Sequence, residues 1–291
     1  MLAVVLPAGL SPRPAAAEDL TAPASAPRLP EHEHFTIDPV VDGVLVAGGV
    51  TFSALLSRII STGEIQPTPL RPGAADHLLS IDRVAVTQTI DPNADSRSTY
   101  ALYGAYAYAV ADSILSGVHD GRRALLVDGL LYAETISLTQ ALTNATKIGV
   151  RRPRPLDYAK CGEDPNAPGC GSTDLQLSFF SGHASTTGAI SATATYLAFM
   201  RAGPRSPRPW ITLGVGTLLT AFVSYERVRS GEHFPTDVIM GSLAGAGIGV
   251  LVPHFHHRPH TTERSYCAPP VWIGFQPSTT GTGAVTLSAL F

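Results

Sequence analysis

The sequence predicts an all-α protein, a bundle of six helices embedded in a membrane, on three observations. Apolar segments of helical length recur at about 39–61, 98–117, 122–146, 183–201, 208–225 and 236–253. The 291 residues are 44% hydrophobic and only 15% charged, with a mean hydropathy of +0.15, enough for a sizeable core. Short polar clusters stand at the ends of the segments, the arrangement of a polar pocket over an apolar core.

Each stretch has its own reason. Residues 1–17 read as a truncated signal peptide, with the apolar run LAVVLPAGL and the small residues Ala15, Ala16 and Ala17 but no basic start. Residues 18–38 are rich in Ala, Pro and acidic residues without an apolar period and read as a flexible linker. The helical domain is expected over 39–257. Between its first two segments, PTPLRPG and DPNADS bracket a shorter helical stretch around His77 to Thr89.

The fifth segment, WITLGVGTLLTAFVSY, and the sixth, VIMGSLAGAGIGVLV, are uncharged and near the lower length limit for a span. Asp112, Asp128, Glu134 and Gln140 interrupt the second and third segments and belong in lipid only if they face the bundle interior. Glu134 reads as a hydrogen-bonded packing residue. A soluble periplasmic helical protein is the alternative to a membrane bundle.

Residues 258–291 form the tail, in which PVWIGF, STTGTG and AVTLSALF read as a β-hairpin docked on the bundle, since one hairpin cannot make a membrane barrel. HFHHRPH at 254–260 reads as a solvated basic flank, with metal binding as the rival reading.

A net charge of −3 without a basic stripe excludes a nucleic-acid partner. Cys161 and Cys170 flank the loop CGEDPNAPGC, a poor zinc spacing and a reasonable disulfide in an oxidising compartment. Closing such a loop is worth about 2.7 kcal/mol in the chain-entropy picture. Cys267 is left over, and three reduced thiols are the alternative. Nothing in the sequence sets an oligomeric state.

The polar clusters are Lys147 with Arg154-Pro155, then Ser181-Gly182-His183, then Arg227 with His233 and Asp237. Three fixed cations suit the equatorial oxygens of a phosphate, and Ser181 with the Gly182 backbone adds neutral donors. Of two histidines, one can attack phosphorus while the other protonates the departing oxygen, and Asp237 is close enough in sequence to hold the attacking ring. The start of the segment near 181–183 offers unpaired N–H groups to an anion, and Pro235 suits a first helical turn.

In order, KIGVRRPRP (Lys147 to Pro155), FFSGH (Phe179 to His183) and ERVRSGEHFPTD (Glu226 to Asp237) resemble the type 2 phosphatidic acid phosphatase superfamily, which also holds bacterial acid phosphatases and vanadium haloperoxidases. The likeness spans roughly residues 98 to 253. Phe180 stands where proline usually precedes SGH, and Glu226 where serine usually precedes the arginine. Neither carries a reacting atom.

The resemblance implies that His233 is phosphorylated, that Asp237 orients it, that His183 is the general acid, and that Lys147, Arg154, Ser181, Gly182 and Arg227 bind phosphate. It also implies a mechanism with no metal and no cofactor. The expected protein is therefore an exported phosphatase acting on phosphate monoesters, with its site facing the periplasm. Its substrates are lipid phosphates or pyrophosphates if it is embedded, and small phosphate esters if it is soluble. Two other classes are a haloperoxidase holding vanadate, for which the chain is short, and a non-enzymatic phosphate or lipid binder, for which two histidines are superfluous.

Overall fold

A computed structural model describes residues 35–62, 65, 70, 73–161, 170, 172–257, 271–276 and 284–289. Six long helices account for most of it: α1 (Pro39–Ser61), α3 (Ala94–Asp120), α4 (Arg122–Val150), α6 (Gly182–Ala202), α7 (Pro207–Arg229) and α8 (Pro235–His256). Two short ones, α2 (Ser80–Thr87) and α5 (Pro155–Cys161), bring the helices among the described residues to eight. The expected count of six is corrected on that point. α2 falls within the shorter stretch expected around His77 to Thr89, whereas the seven residues of α5, in the connection leading to the polar end of the bundle, are too few to show an apolar period.

Local chemistry sets the helix starts. Asp38 caps α1, its Oδ1 accepting the N–H groups of Val40 (3.0 Å) and Val41 (3.1 Å). Proline occupies the first position of α1, α7 and α8, where its missing N–H costs nothing. α8 runs on to His256, past the 253 expected for the last segment, with Pro253 tolerated inside its last turn.

α6 is the central helix and touches α3, α4, α7 and α8. The core joins Val127, Leu131 and Tyr132 of α4 to Ile190, Ala194 and Leu197 of α6, with Ala105, Ala109 and Val252 around them. Polar rungs fix α4 against α6: Thr193 Oγ1 donates to Thr135 (3.2 Å), Gln140 Nε2 to Thr186 (2.9 Å), and the hydroxyls of Thr143 and Ser185 lie 3.0 Å apart. On its other side α6 meets α8 backbone to backbone. A Cβ at Gly245 would fall 1.8 Å from the Ser185 carbonyl oxygen, and one at Gly249 2.3 Å from that of Ala189. Glycine four residues apart is what lets two helices come this close.

The polar residues that interrupt α3 and α4 point inward. Asp128 is paired with Arg201, Asp112 accepts the Tyr132 hydroxyl (2.9 Å), and Gln140 serves the α4–α6 rungs. Large apolar side chains point outward instead, among them Val44, Phe52 and Leu55 on α1, Ile211 and Leu218 on α7, and Leu243 and Phe255 on α8. α1 and α8 are long and apolar enough to cross a bilayer.

Cys161 and Cys170 are joined by a disulfide, with Cα atoms 5.7 Å apart. Val271–Gln276 pairs antiparallel with Ala284–Ala289. Residues 1–17 with most of 18–38, the loop between the two cysteines, Cys267 and the last histidine of HFHHRPH lie outside the described residues.

Candidate active site

The polar end of the bundle is built from the C-terminal turn of α4, the loop into α5, the start of α6 and the turn between α7 and α8. Arg151 closes α4 in the left-handed conformation (φ 51°), and Gly231 takes φ 73° in the α7–α8 turn. These two reversals bring residues 152–154 and 232–234 onto the N-termini of α6 and α8.

His233 lies at the centre, fully buried. Its Nδ1 is 2.7 Å from the Ser178 carbonyl oxygen, so Nδ1 carries the hydrogen and donates it, and Nε2 keeps its lone pair. Burial first, and then the charges of Arg227, Arg154 and Lys147, hold the imidazole neutral well below the usual histidine range. All three expected cations therefore act on one ring.

Asp237 is not the group that hydrogen-bonds that ring. Its Oδ2 is 3.8 Å from Nδ1 and is taken by the Ser178 hydroxyl and the Phe234 N–H (2.9 Å). Its Oδ1 accepts from Arg152 Nη1 (2.5 Å). The expected direct orientation of His233 by Asp237 is corrected to an indirect one: the carboxylate fixes the Ser178 and Phe234 segments, and the Ser178 carbonyl fixes the ring. Arg152 joins the same knot, donating to Asp82 (2.7 Å) and Thr236 (2.7 Å) and lying 4.0 Å over the Phe234 ring.

Arg154 and Arg227 face each other across Glu232, whose Oε2 meets Arg154 Nη1 and lies 3.2 Å from Arg227 Nη2. Arg154 also pairs with Asp174 and Arg227 with Asp95, and those two carboxylate side chains are 64% and 58% exposed, free to swing into solvent. The Nε–H of each arginine is buried without a hydrogen-bond partner. Two orphaned guanidinium donors beside carboxylates in displaceable positions are what a phosphate-sized anion would complete.

Ser181 caps α6, its Oγ accepting the Ala184 N–H (3.4 Å), and its own N–H donates to the Asp237 carbonyl (3.2 Å). Gly182 opens the helix beside it. His183 stands in the first turn with Nε2 3.2 Å from the Thr99 hydroxyl, under the charges of Arg227, Lys147 and Arg154. The eight motif residues thus occupy one end of the bundle. Residue-by-residue reading missed Arg152, Asp82, Asp95, Thr99, Ser178 and Glu232. Arg152 and Glu232 lay inside quoted motifs, where their charge was the available signal. Glu226, in the position of the usual serine, is buried and accepts two bonds from Arg97, at 2.7 and 3.0 Å.

Comparison with known proteins adds to this geometry. Residues 128–260, which contain all eight motif residues, match the PAP2 superfamily. Over 134 residues the chain is 29% identical to phospholipid phosphatase 1 of Rattus norvegicus, covering 40% of this chain and 47% of that protein. The chain thus spans about half the length of the curated relative it matches. The crystal structure of the first transmembrane PAP2 type phosphatidylglycerolphosphate phosphatase from Bacillus subtilis aligns with a TM-score of 0.45 at 20% identity, over 76% of this chain and 99% of that one.

Proposed function

We propose that this chain, whose residues 128–260 are a PAP2 superfamily domain, is a membrane-embedded phosphatase that hydrolyses lipid phosphate monoesters through a phosphohistidine. The observation that carries the reading is the neutral, buried His233 with Nδ1 engaged by Ser178 and three cations around it. In the first step Nε2 of His233 attacks phosphorus in line, a P–N bond forms, the P–O bond to the alcohol breaks, and His183, entering the step as the imidazolium that the negative charge of the bound phosphate favours, gives its proton to the departing oxygen. In the second, His183 takes a proton from water, whose oxygen displaces the imidazole and releases phosphate. Arg154, Arg227 and Lys147 hold the equatorial oxygens, with the Ser181 hydroxyl and the Gly182 N–H as further donors. These fixed charges supply what a divalent cation would otherwise bring.

A lipid substrate is supported by the outward apolar faces and by a cavity of about 780 Å³ between α6, α7 and α8. Its lining runs from Val238, one residue beyond Asp237, to Phe199 and Leu213, and suits an acyl chain beneath a headgroup at His233. The disulfide follows Arg154 through α5, so the site shares its end of the bundle with an oxidised cysteine pair. That supports a site facing the periplasm.

The test is rapid quench of purified protein with labelled phosphatidate in detergent. An acid-labile, base-stable phosphoenzyme is expected, absent in His233→Ala. His183→Ala should slow p-nitrophenyl phosphate less than an alkyl phosphate, because a good leaving group needs less acid. Activity should survive EDTA and be inhibited by vanadate. Full turnover by His233→Ala would overturn the proposal.

A further inference from the structure

At the other end of α8, about 30 Å along the helix from His233, a second polar cluster joins three helices. Asp42 comes from the first turn of α1, Glu134 from the middle of α4 and His256 from the last turn of α8. His256 Nε2 lies 3.3 Å from Asp42 Oδ1 and 3.5 Å from Glu134 Oε2, and the three atoms fall within 4.8 Å of one another.

Two independent features point to a ligand. Glu134 is only 4% exposed, and apart from the approach of the imidazole its Oε2 has no hydrogen-bond partner, an expensive condition for a buried carboxylate. The imidazole is also oriented: its Nδ1 is 2.8 Å from the Val252 carbonyl oxygen, which fixes the hydrogen there and turns the Nε2 lone pair towards two carboxylate oxygens. An acceptor aimed at two acceptors is coherent once a cation lies among them. Asp42 is placed the same way, its Oδ2 accepting the Asp38 N–H (2.8 Å) so that Oδ1 faces the cluster.

We propose that Asp42, Glu134 and His256 bind a first-row divalent cation, best matched by Zn²⁺. One nitrogen and two carboxylate oxygens are a zinc donor set, and a tetrahedron with bonds of about 2.0–2.1 Å sets its ligand atoms roughly 3.3–3.4 Å apart. The separations of 3.3 and 3.5 Å lie at that spacing. The fourth position is left to water. The ion clasps α1 to α4 and α8, far from the reacting groups, so its role is structural and independent of the phosphatase reading.

The experiment uses the full chain in detergent, stripped with chelator and dialysed against Zn²⁺, with bound metal measured by mass spectrometry and Co²⁺ substitution read by visible absorption. Equimolar zinc and tetrahedral cobalt bands are expected. Glu134→Gln, which keeps the side-chain shape, and His256→Ala should each weaken zinc by more than about tenfold. A triple His254→Ala, His257→Ala, His260→Ala variant should keep it. Zinc should raise the thermal midpoint of the wild type and not that of Glu134→Gln. Turnover should be the same with and without zinc. Substoichiometric metal, binding lost in the triple variant and kept in Glu134→Gln, or an equal zinc effect on both midpoints would overturn the proposal and leave an imidazolium held by two carboxylates.

Discussion

His233 donates its Nδ1 hydrogen to the Ser178 carbonyl oxygen at 2.7 Å, while Asp237, four residues on, stands 3.8 Å from the same nitrogen. The ring is thus steered by a backbone atom, and that atom is steered by a carboxylate. Arg152 completes the chain through its contact with Asp237.

Arg152 and Asp237 are therefore expected to act as one unit. Arg152→Ala and Asp237→Asn should each lower kcat by about 10- to 100-fold, and the double variant should be little worse than the poorer single one, because groups in one network are not additive. A double-mutant cycle on kcat/KM measures the coupling. Independent, multiplicative losses would mean that the two do not share the task of placing Ser178.

The pH response follows from the depressed pKa of His233. The unfolded chain takes up a proton as pH falls below about 6.5, whereas the folded ring, buried among cations, does not until far lower. More protons are bound in the unfolded state over that window, so the His233 contribution to stability is present above about pH 6.5 and is lost as the pH falls below it. Thermal melts from pH 7.5 to 4.5 should show a falling midpoint, with a shallower slope in His233→Gln. The ring proposed as the nucleophile stays unprotonated in the same window, so it should give no acid limb of kcat/KM near pH 6.5. An acid limb there in the wild type would contradict a depressed value.

Glu232 is expected to compete with substrate under the proposed function, since its carboxylate lies between Arg154 and Arg227, the two arginines proposed to hold the phosphate. Glu232→Gln should lower the inhibition constant for vanadate by roughly 5- to 10-fold, the effect of about 1–1.4 kcal/mol of lost competition. Weaker vanadate binding in the variant would show that Glu232 instead positions the arginines for the anion.

Gly245 is the tightest point of the α6–α8 contact. Gly245→Ala puts a methyl carbon 1.8 Å from the Ser185 carbonyl oxygen in the present geometry, which only a shift of one helix can relieve. The cost is about 1–3 kcal/mol or more. Because Ser181 and His233 stand at the ends of these two helices, kcat should fall with the melting temperature. Unchanged unfolding in detergent would rule out a rigid contact.

The six long helices were legible because apolar length survives in sequence without knowledge of partners. Their ends were read short where capping and motif residues are polar, as at 94–97 and 226–229. Seven of the eight motif residues stood out because each carries a charged, imidazole or hydroxyl side chain at or next to a helix end, and Gly182 came with them between Ser181 and His183. Arg152 did not, although it sits between Arg151 and Arg154, because which of three near-neighbouring arginines turns inward depends on the left-handed backbone at Arg151. Asp82, Asp95 and Thr99 enter from elements more than 45 residues before the first motif, and Asp42, Glu134 and His256 meet across most of the chain. Separations of that kind leave no local pattern.

The hydroxyl and amide rungs between α4 and α6 have a bearing on biogenesis. A helix that spends Thr186, Ser185 and Thr193 on a neighbour has little to offer lipid before that neighbour arrives, and α4 is in the same position with Thr135, Gln140 and Thr143. α1 and α8, by contrast, have the length and composition to cross a bilayer. In the membrane-embedded bundle proposed above, α4 and α6 are therefore expected to enter lipid together, with α8 laying its glycines against α6.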